Sequence, residues 1–240
     1  MNIQISEWDT NHFGFKIAKL PYLKYPSSIK KGMQEAIHYN VRLLIARCPT
    51  DDFKWIHELE QIGFRLMDTI VYYTLKLIDL KILDTKYLAR IATEKDIPAI
   101  RSIARDSFKG YVSHFSADPK LDKKKCDEVY EFWAVNSFGD RSLADYIMVV
   151  EIEGVIAGFN TIKLKDEGRI GDARLSVIHP MYRKRGIYKD IIIHSLKWMY
   201  SQGCIKSERS TQITNISSQK TFTKFGYCLD RSYYTFHLWI

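Results

Sequence analysis

From Leu175 to Tyr188 the chain reads Leu-Ser-Val-Ile-His-Pro-Met-Tyr-Arg-Lys-Arg-Gly-Ile-Tyr: a strand, a short basic loop with one glycine, and the start of a long helix. Residues of these types in this order can cradle an anion. The first turn of a helix presents unpaired N–H groups and the positive end of its dipole, and a loop leading into it lets more amides converge. Gly186 permits close backbone approach, and Arg183, Lys184 and Arg185 add charge where a pyrophosphate would lie. An ordinary strand-to-helix turn with a solvated basic patch uses the same residues, so the loop alone leaves both readings open. The four cysteines, Cys48, Cys126, Cys204 and Cys228, are scattered without a CxxC pair. This argues against a zinc ribbon and a secreted disulfide scaffold, and no metal is expected.

The surrounding pattern predicts the elements that position this loop. VRLLIARC (41–48) reads as a buried strand. DDFKWIHELEQIG follows as a helix with Phe53, Ile56, Leu59 and Ile62 at helical spacing, closed by Gly63. FRLMDTIVYYTLKL reads as one or two strands. Further on, Thr93 and Asp96 form a capping box before a helix whose apolar face is Ile97, Ile100 and Ile103. CDEVYEFWAVNSF predicts a second helix, and YIMVVEIEGVIAGFNTIKL two strands about a turn at Glu153-Gly154. GIYKDIIIHSLKWMYSQG is apolar nearly all round, which predicts a buried helix closed by Gly203. The remainder predicts a strand (SERSTQI), a helix from Asn215 to Phe225, and a last pair of strands in YCLD and SYYTFHLWI. Residues 62–77 and 225–240 share an ending of Gly, aromatic, x, Leu and a later Tyr-Tyr-Thr. Counting eleven residues back from Gly63 and Gly226 reaches Asp52 and Asn215, both suited to cap a helix. The N-terminal stretch therefore reads as a truncated copy of the last C-terminal unit, with domains at 1–82 and 87–240 and a junction near 80–87.

Composition bounds the function. Of 240 residues 46% are hydrophobic and 27% charged, the balance of a soluble globular protein. No apolar run is long enough to span a bilayer, and the opening MNIQISEWDT has no signal-peptide pattern, so a cytoplasmic protein is expected. The charge of +8 suits an anionic partner. The basic residues form no single aromatic-studded stripe, and nucleic acid is not expected as that partner.

Arg183-x-x-Gly186-x-Tyr188, after a strand ending Leu175-x-Val177 and a nearby Pro180, resembles the pyrophosphate loop of the GNAT acetyltransferases. Asn215, Phe222 and Gly226-Tyr227 resemble that family's strand–Asn–helix–Gly–aromatic segment, and the element order from about 87 to 240 agrees. The departure is Tyr188, where the family usually has Gly or Ala. WDTNHFGF (8–15), the half-domain ending GFRL, ATEKDIPAIRSIARDSF and TQITN with a terminal HLWI further resemble the family's acetyltransferases of dTDP-linked deoxyamino sugars.

The resemblance implies an α/β GNAT fold, a mixed central sheet flanked by helices, preceded by a truncated GNAT-like half-domain. It implies direct N-acetyl transfer from acetyl-CoA to the amino group of a nucleotide-linked sugar, dTDP being the nucleotide expected. The cofactor site carried over is the backbone of Leu175, Ser176 and Val177 for the pantetheine arm, Arg183, Lys184, Arg185, Gly186, Ile187 and Tyr188 for the pyrophosphate, Asn215 for the arm, and Lys220 near the phosphates. Asp68 matches an acidic residue that would serve as base. His114 and Asp118 lie where the family binds its acceptor. The usual acid is a Tyr seven residues after the Asn; here that position is Phe222, which cannot donate a proton, so the general acid is unassigned. Alternatives are another amine acceptor (a protein N-terminus, a polyamine or an antibiotic) and a non-catalytic CoA-binding module. Exposed strands at the ends leave room for a homodimer.

Overall fold

The protein is described as a computed structural model covering residues 2–23, 27–78 and 84–240. The expected domain junction near 80–87 lies in part outside these residues. The elements in chain order are β1 (Gln4–Ile5), α1 (Glu7–Phe13), β2 (Ile17–Leu20), α2 (Ser27–His38), β3 (Leu43–Pro49), α3 (Phe53–Ile62), β4 (Arg65–Lys76), β5 (Ala89–Ile91), α4 (Ile97–Phe108), α5 (Lys123–Asn136), β6 (Tyr146–Ile152), β7 (Val155–Lys165), β8 (Ile170–Ile178), α6 (Ile187–Ser201), β9 (Lys206–Gln212), α7 (Ile216–Lys224) and β10 (Cys228–Trp239). All the strands join one sheet in the order β1-β2-β3-β10-β4-β9-β8-β7-β6-β5. Most pairings are antiparallel, and β2–β3 and β8–β9 are parallel, so the sheet is mixed.

Local chemistry explains the element ends. Asp52 and Asn215 cap α3 and α7 by accepting from Trp55 N and Ser218 N. Thr93 and Asp96 make the reciprocal capping box ahead of α4. Glu153 and Gly154 both adopt positive φ, the geometry of a two-residue hairpin turn, and join β6 to β7. α5 begins at Lys123, capped by Asp122. Two local readings change. Phe53 points to solvent and Trp55, fully buried, holds α3 to the sheet instead; its indole N–H donates to Leu23 O, which a strict apolar-spacing template does not anticipate. The expected last pair of strands is one strand, β10, with its turn-like Asp230 absorbed as an irregularity in the pairing with β4.

The sheet order is reciprocal. β3 leads through α3 to β4, and β9 leads through α7 to β10, yet β10 lies between β3 and β4 while β4 lies between β10 and β9. Each unit thus inserts its last strand into the other. Helices cover both faces. α2, α3, α6 and α7 bury Ile29, Trp55, Leu59, Ile192, Leu196 and Phe222 on one face. α1, α4 and α5 pack Phe13, Ile100, Ile103, Val129 and Ala134 on the other.

Candidate active site

The parallel β8–β9 ladder ends at Ala173↔Arg209. Beyond that point β8 stays on β7 and β9 on β4, so the two strands part. The pairing of β8 with β7 shifts where Asn160 faces Ser176 but Ile162 faces Ala173, leaving Arg174 and Leu175 opposite Thr161 alone. Such a bulge bends the strand and supplies the divergence. The backbone of Leu175, Ser176 and Val177 therefore lies on an edge with no partner in β9, a wedge open to an extended ligand.

A pocket of about 140 Å³ fills the wedge and passes through the sheet. On the α6/α7 face it is lined by Tyr188, Arg209, Asn215, Ser218 and Phe222, and on the α4/α5 face by Phe108, Tyr111, Tyr130 and Trp133. Arg209 spans the gap. It is 1% exposed, its guanidinium donates to Tyr227 Oη (3.1 Å) and Ser176 Oγ (2.9 Å), and it lies over the Phe222 ring at 5.9 Å. Its Nη2 is buried without a hydrogen-bond partner among the described residues. An orphaned cationic donor beside a ligand path is costly unless something anionic or carbonyl-like completes it.

At the mouth of the wedge, Gly186 precedes α6 as its N-cap with φ 88°, and Lys184 is left-handed too, at φ 62°. Arg183, Lys184 and Arg185 are exposed, and none forms an ion pair among the described residues. A Cβ at Gly186 would meet nothing within 4 Å, so its backbone is open to a ligand. Ile187 is buried beneath the loop, and Asp190 accepts from Lys86 N and Tyr87 N, tying the first turn of α6 to the chain after the junction. Tyr188 turns into the wedge beside Phe222, and burial raises its phenol pKa. Asn215 spends its side chain on capping α7 and on Thr211 Oγ1 (3.0 Å). Lys220 forms no ion pair among the described residues, and does not line the wedge.

On the α4/α5 face the wedge opens into a cavity of about 600 Å³, the two sharing Ile70, Tyr130, Trp133, Arg174, Ser210 and Gln212. Strand register places Arg47 of β3, which lines it, in one cross-strand row with Thr235 of β10 and Asp68 of β4, which do not. Ile70 faces Gln212, and Tyr72 faces Ser210, on the same side. Trp8, Phe115, Tyr130 and Trp133 supply aromatic wall. Four cations and two carboxylates line the space. Lys165 is held by Asp172 and Glu208, Arg174 by Asp172, and Lys19 lies 3.8 Å from Asp9. Arg47 donates to Thr235 Oγ1 and has no acidic partner among the described residues.

Asp68 shares the sheet face of Arg47 but does not line the cavity. Both its oxygens are buried and without a hydrogen-bond partner among the described residues. His114 lines the cavity, and its Nδ1 is 2.9 Å from Nε2 of His237. Asp118 does not line the cavity; it is buried behind His237 and accepts from that ring and from the Trp239 indole. Phe222 is 3% exposed and packs edgewise on Tyr73 in the core, so no phenol stands at the usual acid position. Sequence reasoning brought together the loop, Ser176, Asn215 and Phe222. It missed Arg47, Arg209 and His237, each on an alternating strand where only register reveals a shared face.

No helix among the described residues is long and apolar enough to cross a membrane. A model of the Acetyltransferase (GNAT) family matches residues 98–227. The spore coat polysaccharide biosynthesis protein SpsD of Bacillus subtilis (strain 168) is 24% identical over 144 residues. That is 60% of this chain and 48% of SpsD, so the match spans about half the length of this curated relative. A GCN5-related N-acetyltransferase from Sphaerobacter thermophilus superposes with TM-score 0.67 at 13% identity over 99% of this chain and 76% of that one. The glucosamine N-acetyltransferase region of a fungal multi-domain GH3 β-N-acetylglucosaminidase superposes with TM-score 0.68 at 14% identity, over 98% of this chain and 31% of that one. With the family match covering more than half of its residues, the chain belongs to the GNAT acetyltransferase family.

Proposed function

We propose that the protein is an acetyl-CoA-dependent N-acetyltransferase of the cytoplasm that acetylates the amino group of a nucleotide-linked deoxyamino sugar by direct transfer. The observation that carries this reading is a wedge continuous with a cavity lined by Arg47, a cation with no acidic partner among the described residues. An acceptor's diphosphate complements Arg47, and the aromatic wall suits a base and a sugar ring. SpsD, a spore coat polysaccharide biosynthesis protein, and the glucosamine N-acetyltransferase region point the same way.

In this reading the loop 183–188 holds the cofactor pyrophosphate with backbone amides and three exposed cations. The edge of Leu175 to Val177 pairs with the pantetheine arm, and an N–H there polarises the thioester carbonyl. Asp68 meets the acceptor's ammonium. Phe222 has no proton for the leaving thiolate, and the orphaned Nη2 of Arg209 supplies positive charge beside it instead. Phe222 also favours a second reading, a CoA-binding module without turnover.

A thiol-release assay with acetyl-CoA tests the proposal, comparing dTDP-4-amino-4,6-dideoxy sugars with UDP counterparts and with simple amines. Selective turnover of one nucleotide sugar supports it. Acetyl-CoA binding by calorimetry with no turnover of any amine overturns it in favour of the binding module.

A further inference from the structure

His114, His237 and Asp118 form a chain of hydrogen bonds from the cavity wall into the interior. Asp118 Oδ2 is 2.8 Å from Nδ1 of His237, and Nε2 of His237 is 2.9 Å from Nδ1 of His114. His237 is 1% exposed and Asp118 3%, so neither reaches solvent. The Trp239 indole N–H donates to the same Oδ2 of Asp118 at 2.9 Å, and the amide of Lys120 donates to its Oδ1 at 3.0 Å. The carboxylate is thereby held ionised and aimed, its pKa kept low by these donors against the pull of burial.

With both rings neutral, the chain has one arrangement of protons. An ionised Asp118 requires the hydrogen of His237 to be on Nδ1. A neutral His237 then presents a lone pair at Nε2, which can only accept from an Nδ1–H of His114. His114 is left with its own lone pair on Nε2, and among the described residues no hydrogen bond to that atom is present. The groups facing His114 oppose its protonation. Burial acts first, and the charges of Arg47 of β3 and Lys19 of β2 add to it, as a proton on His237 of β10 would; the pKa lies well below the ordinary 6.5. Phe115 lies against its ring at 3.9 Å and fixes its plane. A buried aspartate orienting one imidazole, and through it a second ring that lines a cavity with an unprotonated nitrogen, follows the arrangement of a general base.

We propose that His114 is the general base of the reaction, taking a proton from the acceptor's ammonium through Nε2, with His237 and Asp118 as positioning residues. The assignment rests on the acyl-transfer reading above. The ammonium gives one proton to Nε2, and the freed lone pair attacks the thioester carbon. A C–N bond forms and the carbonyl pair moves to oxygen. As it returns, the C–S bond breaks and its electrons leave on sulfur. The remaining surplus N–H proton passes to the thiolate, and His114 releases its own to solvent. Asp68 then pairs with the ammonium without having to take its proton.

The test uses the whole chain. Long-range proton–nitrogen spectra of the wild type at neutral pH give the tautomer of His114. Hydrogen on Nδ1 with a bare Nε2 is expected, and an Nε2–H form overturns the inference. His114→Ala is expected to lower kcat/KM with an amine that the wild type turns over by about 10²–10⁴-fold. Acetyl-CoA affinity stays unchanged, and added imidazole restores part of the rate. His237→Gln is expected to scramble the tautomer and lose an intermediate amount. Asp68→Asn is expected to raise the acceptor's KM and leave the acidic limb of the pH profile in place. If that limb disappears in Asp68→Asn and persists in His114→Ala, Asp68 is the base and the proposal falls. Wild-type protein that binds acetyl-CoA but turns over no amine overturns the acyl-transfer reading and this one with it. An active wild type beside an unimpaired His114→Ala sinks the base assignment alone.

Discussion

Gly186→Glu separates the phosphate cradle from an ordinary turn. The glycine sits at φ 88°, where an L side chain costs about 1–2 kcal/mol. Its Cβ would meet nothing within 4 Å, so no clash adds to this and the fold should survive with a modestly lowered unfolding midpoint. The ligand feels the carboxylate directly. A charge about 6 Å from a phosphate oxygen repels it by about 0.7 kcal/mol at the dielectric of water and about 2.8 at an effective value near 20. A pyrophosphate brings two such charges, and the three loop cations offset part of the repulsion. The expected loss is about 2–4 kcal/mol, or about 30- to 1,000-fold in acetyl-CoA affinity. Calorimetry measures the affinity and thermal unfolding the stability. Gly186→Asn, neutral and tolerant of the left-handed region, is the control and should lose less than about fivefold. Unchanged affinity in Gly186→Glu would remove the loop from the phosphate site. An equal loss in the Asn variant would place the effect in the backbone and refute the charge argument.

Phe222→Tyr is expected to keep or raise turnover in the thiol-release assay, because its new hydroxyl enters beside the orphaned Nη2 of Arg209; complete loss of activity with intact acetyl-CoA binding would show that the ring fills the space assigned to the thiolate. Arg209→Lys keeps a charge but gives up the fork that joins Tyr227 to Ser176, and is expected to cost about 10²-fold in kcat. Wild-type turnover in a folded Arg209→Lys variant would exclude this residue from the reaction. Asp96 accepts from both terminal nitrogens of Arg90 and from Thr93 N, so Asp96→Asn should destabilise the protein by about 1–3 kcal/mol at pH 7, measured by urea unfolding. The Arg90 guanidinium holds the Asp96 carboxyl well below its ordinary 3.8, so this contribution is complete above about pH 4 and fades as the pH falls through the lower folded value; the variant and the wild type should converge in strong acid.

What could be read from the chain alone was whatever depends on neighbours in sequence. The caps at Asp52, Thr93 and Asn215, the left-handed stops at Gly63 and Gly203 and the burial of α6 follow from residue type and spacing within a turn or two. The loop from Arg183 to Gly186 was legible for the same reason, since a strand end, a left-handed glycine and a helix start are local events. Phe53 misled because helical periodicity cannot tell which of two adjacent apolar faces meets the sheet; Trp55 won through its size and its bond to Leu23 O.

The active-site chemistry lay beyond that reach. Arg47, Asp68, Gln212 and His237 occupy four strands far apart in sequence, and their meeting depends on β10 inserting between β3 and β4 and on β4 lying against β9. Because successive strand residues point to opposite faces, a slip of one residue in any of those pairings would send the charged or imidazole side chain to the opposite face. Nor does a residue's type show whether its partners are present: Arg174 and Arg47 look alike in sequence, yet one is tied to Asp172 and the other has no acidic partner among the described residues. Capping and turn chemistry are set within a few residues, and the sequence determines them directly. The register of distant strands and the balance of charges in a shared cavity exist only when the sheet has closed, and tertiary structure alone decides them.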